Sequence, residues 1–203
     1  MRSGKRCATA LLIPVAAVVG IMAYEFRDHL LVPWHLHVLE HGSKEASFDA
    51  ASRLGAIRCV RAVPPLIRAF VKNDAYSEYN AYTAAIQTIV DDDPEKAVPL
   101  IAAALQDPVP RVRLQAAFLL DGYCPPDRDR RATARFALPE LILALDDPDS
   151  TTRAFCVRTL QQIGPDASAA VERLERLCNE DSDPNCRNMA REAIRAAGGT
   201  GSP

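Results

Sequence analysis

The chain has 203 residues, a net charge of -2, 48% hydrophobic and only 6% aromatic residues. That length allows one unit of ordinary size with enough apolar residues for a core, and the abundance of Ala and Leu suits helix-on-helix packing better than a sheet. The charge excludes a nucleic-acid footprint, because a phosphate-binding protein gathers Lys and Arg on one face, whereas acidic clusters such as Asp91-Asp92-Asp93 and Asp146-Asp147 punctuate this chain.

Residues 1–24 read as a signal anchor or transmembrane segment. Arg2, Lys5 and Arg6 precede a charge-free stretch from Cys7 to Tyr24, and positive residues stay on the cytoplasmic side, so the remainder is expected to be exported (periplasmic or extracellular) from a single-pass protein attached through residues 8–24. The alternatives are secretion after cleavage near Ala23 and a buried helix capping the stack. Residues 25–43 are expected to form a juxtamembrane or capping helix broken near Pro33.

Helical hairpins are expected over 44–198, with residues 199–203 a disordered tail. The first pair covers about 44–54 and 64–72, with Gly55 as the stop between them; the second covers 77–90 and 94–105. Asp93 before Pro94 is a good helix entry, and Pro99 inside that helix predicts a kink or a later start. The third pair covers 110–121 and 136–145 across a polar loop at 125–129, the fourth 150–163 and 166–179, and a last helix 184–197. A phrase recurs through them about every 35 to 40 residues: Val63-Pro64-Pro65-Leu66-Ile67, Val98-Pro99-Leu100-Ile101 and Leu138-Pro139-Glu140-Leu141-Ile142. Such a period signals stacked hairpins, each needing its neighbours to bury an apolar face. The expected fold is all-α, a right-handed solenoid of about four hairpins plus a terminal helix, preceded by an N-terminal apolar helix.

Asp107-Pro108-Val109-Pro110-Arg111-Val112-Arg113, then Asp147-Pro148 with Arg153, Leu160 and Gly164-Pro165, resemble HEAT repeats of the short bacterial type. In that family an Asp in the turn and an Arg six residues later form a ladder of hydrogen-bonded ion pairs between repeats. The spacing recurs in Asp107 with Arg113, Asp147 with Arg153 and Asp181 with Arg187, while Asn80 stands six residues after Asp74. The resemblance extends to bilin lyases, which attach chromophores, and implies a protein or peptide partner. Second helices would line the concave surface, where Arg68, Lys72, Glu140, Glu172, Arg173 and Arg176 are candidate contacts.

His37-Val38-Leu39-Glu40-His41 matches the inverted zinc-protease motif, which puts two His ligands and a Glu base on one helical face. The simpler reading is an amphipathic helix with polar residues outward, since no third ligand stands out. No His falls within the solenoid, unlike the iron-dependent hydroxylases built from HEAT repeats, and no nucleophilic triad, phosphate-cradling Gly loop or small-molecule substrate site is evident. No cofactor is expected. Cys178 and Cys186 flank one turn and are the best disulfide candidates; two free thiols are the other reading. The expectation is therefore a membrane-tethered or exported repeat scaffold, not an enzyme, with a zinc hydrolase or a bilin-lyase-like accessory protein as alternatives.

Overall fold

The structure, a computed structural model, describes residues 30–73, 80–122 and 133–198. It consists of α1 (Val32–His41), α2 (Lys44–Ala56), α3 (Val63–Lys72), α4 (Ala81–Asp92), α5 (Pro94–Ala103), α6 (Pro110–Gly122), α7 (Leu138–Ala144), α8 (Ser150–Ile163), α9 (Val171–Glu180) and α10 (Pro184–Ala196). Among the described residues there is no strand. The helices form a solenoid-like stack of two layers. In one layer α2 packs on α4, α6 on α8 and α8 on α10; in the other α3 packs on α1 and α5, and α5 on α7. The step from α4 to α6 differs, because α6 leans on α5 and α3.

Local chemistry sets the helix starts. Ser43, Asp93, Asp149 and Asp183 cap the helices that follow them, each side chain accepting an otherwise orphaned backbone N–H, and Asn80 forms a full capping box with Thr83. Pro33 lies in the first turn of α1, where its missing N–H costs nothing, so it opens a helix where a break was expected. The recurring prolines behave unequally. Short 3-10 turns precede α3 and α7, so Pro64 and Pro139 fall in a first turn, whereas α5 starts five residues earlier and runs through Pro99.

Between the layers Leu54, Leu66, Ile67, Ile86, Ile89, Ile101, Leu120, Leu141 and Leu145 are almost completely buried, each contributing about 1.5–3 kcal/mol of transfer free energy. Gly55 was expected to stop a helix, yet it lies inside α2 and is buried. The helix ends later, and Arg58 takes the left-handed conformation there (φ 54°) while its guanidinium pairs with Asp92 at 2.5 Å.

A buried chain of hydroxyls ties the first four helices together. Asn73 Nδ2 donates to Tyr82 Oη at 2.8 Å, Tyr82 Oη donates to Ser47 Oγ at 2.9 Å, and Ser47 Oγ donates to the Leu39 carbonyl at 3.3 Å. Tyr82 and Ser47 have no exposed surface. Tyr82→Phe is therefore expected to cost about 1 kcal/mol, since one hydrogen-bond partner vanishes while the ring stays packed. Urea unfolding of the two proteins measures the difference.

The expected membrane attachment, single-pass topology and export of the repeats are corrected. Among the described residues no helix is long and apolar enough to cross a membrane. The longest of α1 to α10 has 14 residues, against about 20 apolar residues for a span, and these helices spend their apolar faces on their neighbours. The stretch 8–24, on which the anchor and the cleavage near Ala23 rest, lies outside the described residues, as do the loop 125–129 and the tail 199–203.

Candidate functional site

The turns entering α6, α8 and α10 share one construction. Asp107 Oδ1 accepts the Val109 amide at 2.9 Å, Asp147 Oδ1 that of Asp149 at 2.9 Å, and Asp181 Oδ1 that of Asp183 at 2.8 Å. A carboxylate bonded to the backbone two residues ahead is fixed in direction. Arginines from the preceding repeat then meet these carboxylates: Arg113 Nε donates to Asp147 at 2.6 Å, and Arg153 donates to Asp181 through Nε at 2.8 Å and Nη2 at 2.7 Å. Each Arg also donates Nη1 to the carbonyl of the Asp six residues before it, at 3.1 Å for Arg113, 2.8 Å for Arg153 and 2.6 Å for Arg187. The i to i+6 spacing thus marks a backbone contact within a repeat, while the ion pair runs to the next one.

The carboxylates of Asp147 and Asp181 are almost wholly buried, at 4% and 1% side-chain exposure. Arg153 beside it holds the Asp181 carboxyl below its usual range, burial opposing. Asp107 is buried too, but its partner is Arg68 of α3, at 2.9 Å. Arg68 was a candidate partner contact; it is also the first rung. Asn80, at the position without an arginine, caps α4 instead.

The other candidate contacts are dispersed. Lys72 Nζ donates to the Glu40 carbonyl at 2.6 Å, and Arg173 bonds the Ile142 carbonyl at 2.9 Å and pairs with Asp146 at 2.7 Å. Glu140 is half-buried on α7, and Glu172 and Arg176 are exposed on α9. Arg173 and Arg176 line a polar cleft of about 410 Å³ with Asp146 and Glu180. A second groove, about 150 Å³, runs between α3 and α5 over Pro64, Leu100 and Ala103, with Arg68 and Asp107 at its edge. Asp107 also borders the next cleft, where Leu143 stands 52% exposed.

The zinc reading is corrected. His37 and His41 stack ring on ring with centroids 4.5 Å apart, His41 Nδ1 lies 3.2 Å from the His37 carbonyl, and Glu40 is 3.9 Å from His41. Among the described residues no group of three or more His, Cys, Asp or Glu is arranged to hold a metal ion. Cys178 and Cys186 are free thiols. Cys186 is turned inward, its Sγ donating to the Ser150 carbonyl at 3.3 Å, and burial raises its pKa to about 11.

Residues 97–125 match the model of the HEAT repeat, and residues 129–195 that of HEAT repeats. The chain contains HEAT repeats. These two HEAT segments include all three Asp turns and the arginines that follow them. An engineered protein of known crystal structure is similar in fold: TM-score 0.51, 19% identity, over 82% of this chain and 78% of that one. No curated protein matches the chain.

Proposed function

We propose that the chain is a HEAT-repeat scaffold that binds a protein or peptide along its second helices, arranged as four hairpins plus a terminal helix in a right-handed stack. One observation carries this reading. The apolar groove over Pro64, Leu100 and Ala103 meets, at Asp107, the more polar cleft in which Leu143 stands exposed, making an accessible strip of mixed apolar and charged character across three repeats. Such surfaces bind extended partners through many modest contacts, and Arg68 and Asp146 along the strip would set orientation. Catalysis has no part in this reading. The family matches are to HEAT repeats in general, so the bilin-lyase resemblance adds no chromophore chemistry.

The test is crosslinking with affinity capture using the wild type, Leu143→Glu and Ala103→Glu. Both positions are exposed, so the fold is expected to survive, as helical circular dichroism will check. A partner retained by the wild type and lost from both variants supports the strip; retention by both defeats it.

A further inference from the structure

The arginines at 113, 153 and 187 are anchored alike. Nη1 of Arg113 donates to the carbonyls of Asp107 and Pro108, that of Arg153 to Asp147 and Pro148, and that of Arg187 to Asp181 and Ser182. In the first two this anchoring accompanies a Nε and Nη2 edge that holds a carboxylate of the following repeat. Arg187 has the same anchoring, and among the described residues no carboxylate pairs with it. We propose that Arg187 is a binding site for an aspartate carboxylate of a protein partner, presented at the head of a turn.

The two filled rungs define the occupant. Each incoming Asp has one oxygen bonded to the amide two residues ahead, so acceptor and guanidinium are both oriented before they meet. Two preorganised groups lose little freedom on pairing, and the planar fork favours a carboxylate over a neutral amide. A second copy of the chain is a poorer occupant, because Asp107, Asp147 and Asp181 are already held by Arg68, Arg113 and Arg153. A whole additional repeat also fits poorly. Beyond Pro184, the exposed residues of α10, among them Asn188, Arg191, Glu192 and Arg195, are polar, whereas stacking hairpins bury apolar faces. A short acidic turn is what remains. The site lies on α10, the last of the described helices, and does not use the strip on the second helices, so either can fail alone.

The test follows the Nε–H resonance of Arg187 in the full chain during titration with a capped peptide, Asp-Asp-Pro-Asp-Ser-Thr-Thr, which copies residues 146–152. The expected result is a saturable shift, weakened about tenfold or more when the second Asp of the peptide is Asn, as for loss of a charged hydrogen bond. Arg187→Lys, which keeps the charge but not the fork and is followed through the backbone amides of residues 181–188, is expected to bind the Asp peptide correspondingly more weakly. No shift, or equal responses to the Asn peptide or to sodium acetate at the same carboxylate concentration, would overturn the proposal. A shift on raising protein concentration without peptide would identify a second copy as the occupant and overturn it equally.

Discussion

Arg153→Ala is expected to lower stability by about 3–5 kcal/mol, because it strands the buried Asp181 carboxylate and frees the Asp147 carbonyl. The exposed end of the ladder supplies the comparison. Arg68 is 69% exposed while its partner Asp107 is buried, so Arg68→Ala removes a solvated cation and leaves the Asp107 carboxylate with the Val109 amide; it is expected to cost less than Arg153→Ala, about 1–3 kcal/mol. Equal losses in chemical unfolding would show that burial does not set the worth of a rung. The Arg153 effect also depends on pH. Asp181 is held below the ordinary carboxyl range in the folded protein, so the folded state binds fewer protons than the unfolded one. The stability it confers is fully present well above about pH 3.9, the unfolded value, and is lost as pH falls through the lower folded value. The gap between wild type and Arg153→Ala is therefore expected to narrow in acid.

Gly55→Ala is expected to destabilise the N-terminal half by about 1–2 kcal/mol. Alanine favours a helix interior by about 1 kcal/mol, but the new Cβ would stand 2.8 Å from Ala85 Cα and 2.9 Å from Ala85 Cβ, forcing α2 and α4 apart. Overpacking of this kind costs about 1–3 kcal/mol, and a backbone neighbour cannot rotate away. Gly122→Ala is the control, since an added Cβ there meets nothing within 4 Å. Thermal melts showing Gly55→Ala at least as stable as the wild type would exclude the close approach.

Much of this architecture is legible in the sequence because it is local and repeated. Asp93, Asp149 and Pro184 mark helix starts through chemistry confined to a few residues, and the phrase at Pro64, Pro99 and Pro139 exposes the period. The partners across repeats are another matter. Arg68 and Asp107 are 39 residues apart and share no motif, so Arg68 reads from sequence as an ordinary exposed cation. Gly55 looks like a stop because glycine ends helices commonly, and only the position of Ala85 reveals the packing reason. The buried chain through Ser47, Tyr82 and Asn73 carries no sequence mark either, since isolated hydroxyls are indistinguishable from surface ones. His37-x-x-Glu40-His41 shows the converse: local spacing suggests metal chemistry, which the surrounding described residues do not complete.

The irregular step between α4 and α6 divides the molecule chemically as well as geometrically. On one side runs the neutral hydroxyl and amide chain through Ser47, Tyr82 and Asn73; on the other run the aspartate–arginine rungs, beside buried hydroxyls at Thr152 and Thr159. Protons therefore reach the stability of one half through ionised carboxylates and find no such handle in the other's hydroxyl chain. Acid strong enough to protonate Asp181, below the ordinary carboxyl range, acts as a lever on one end of the stack, loosening the Arg153 rung while leaving the Tyr82 links intact.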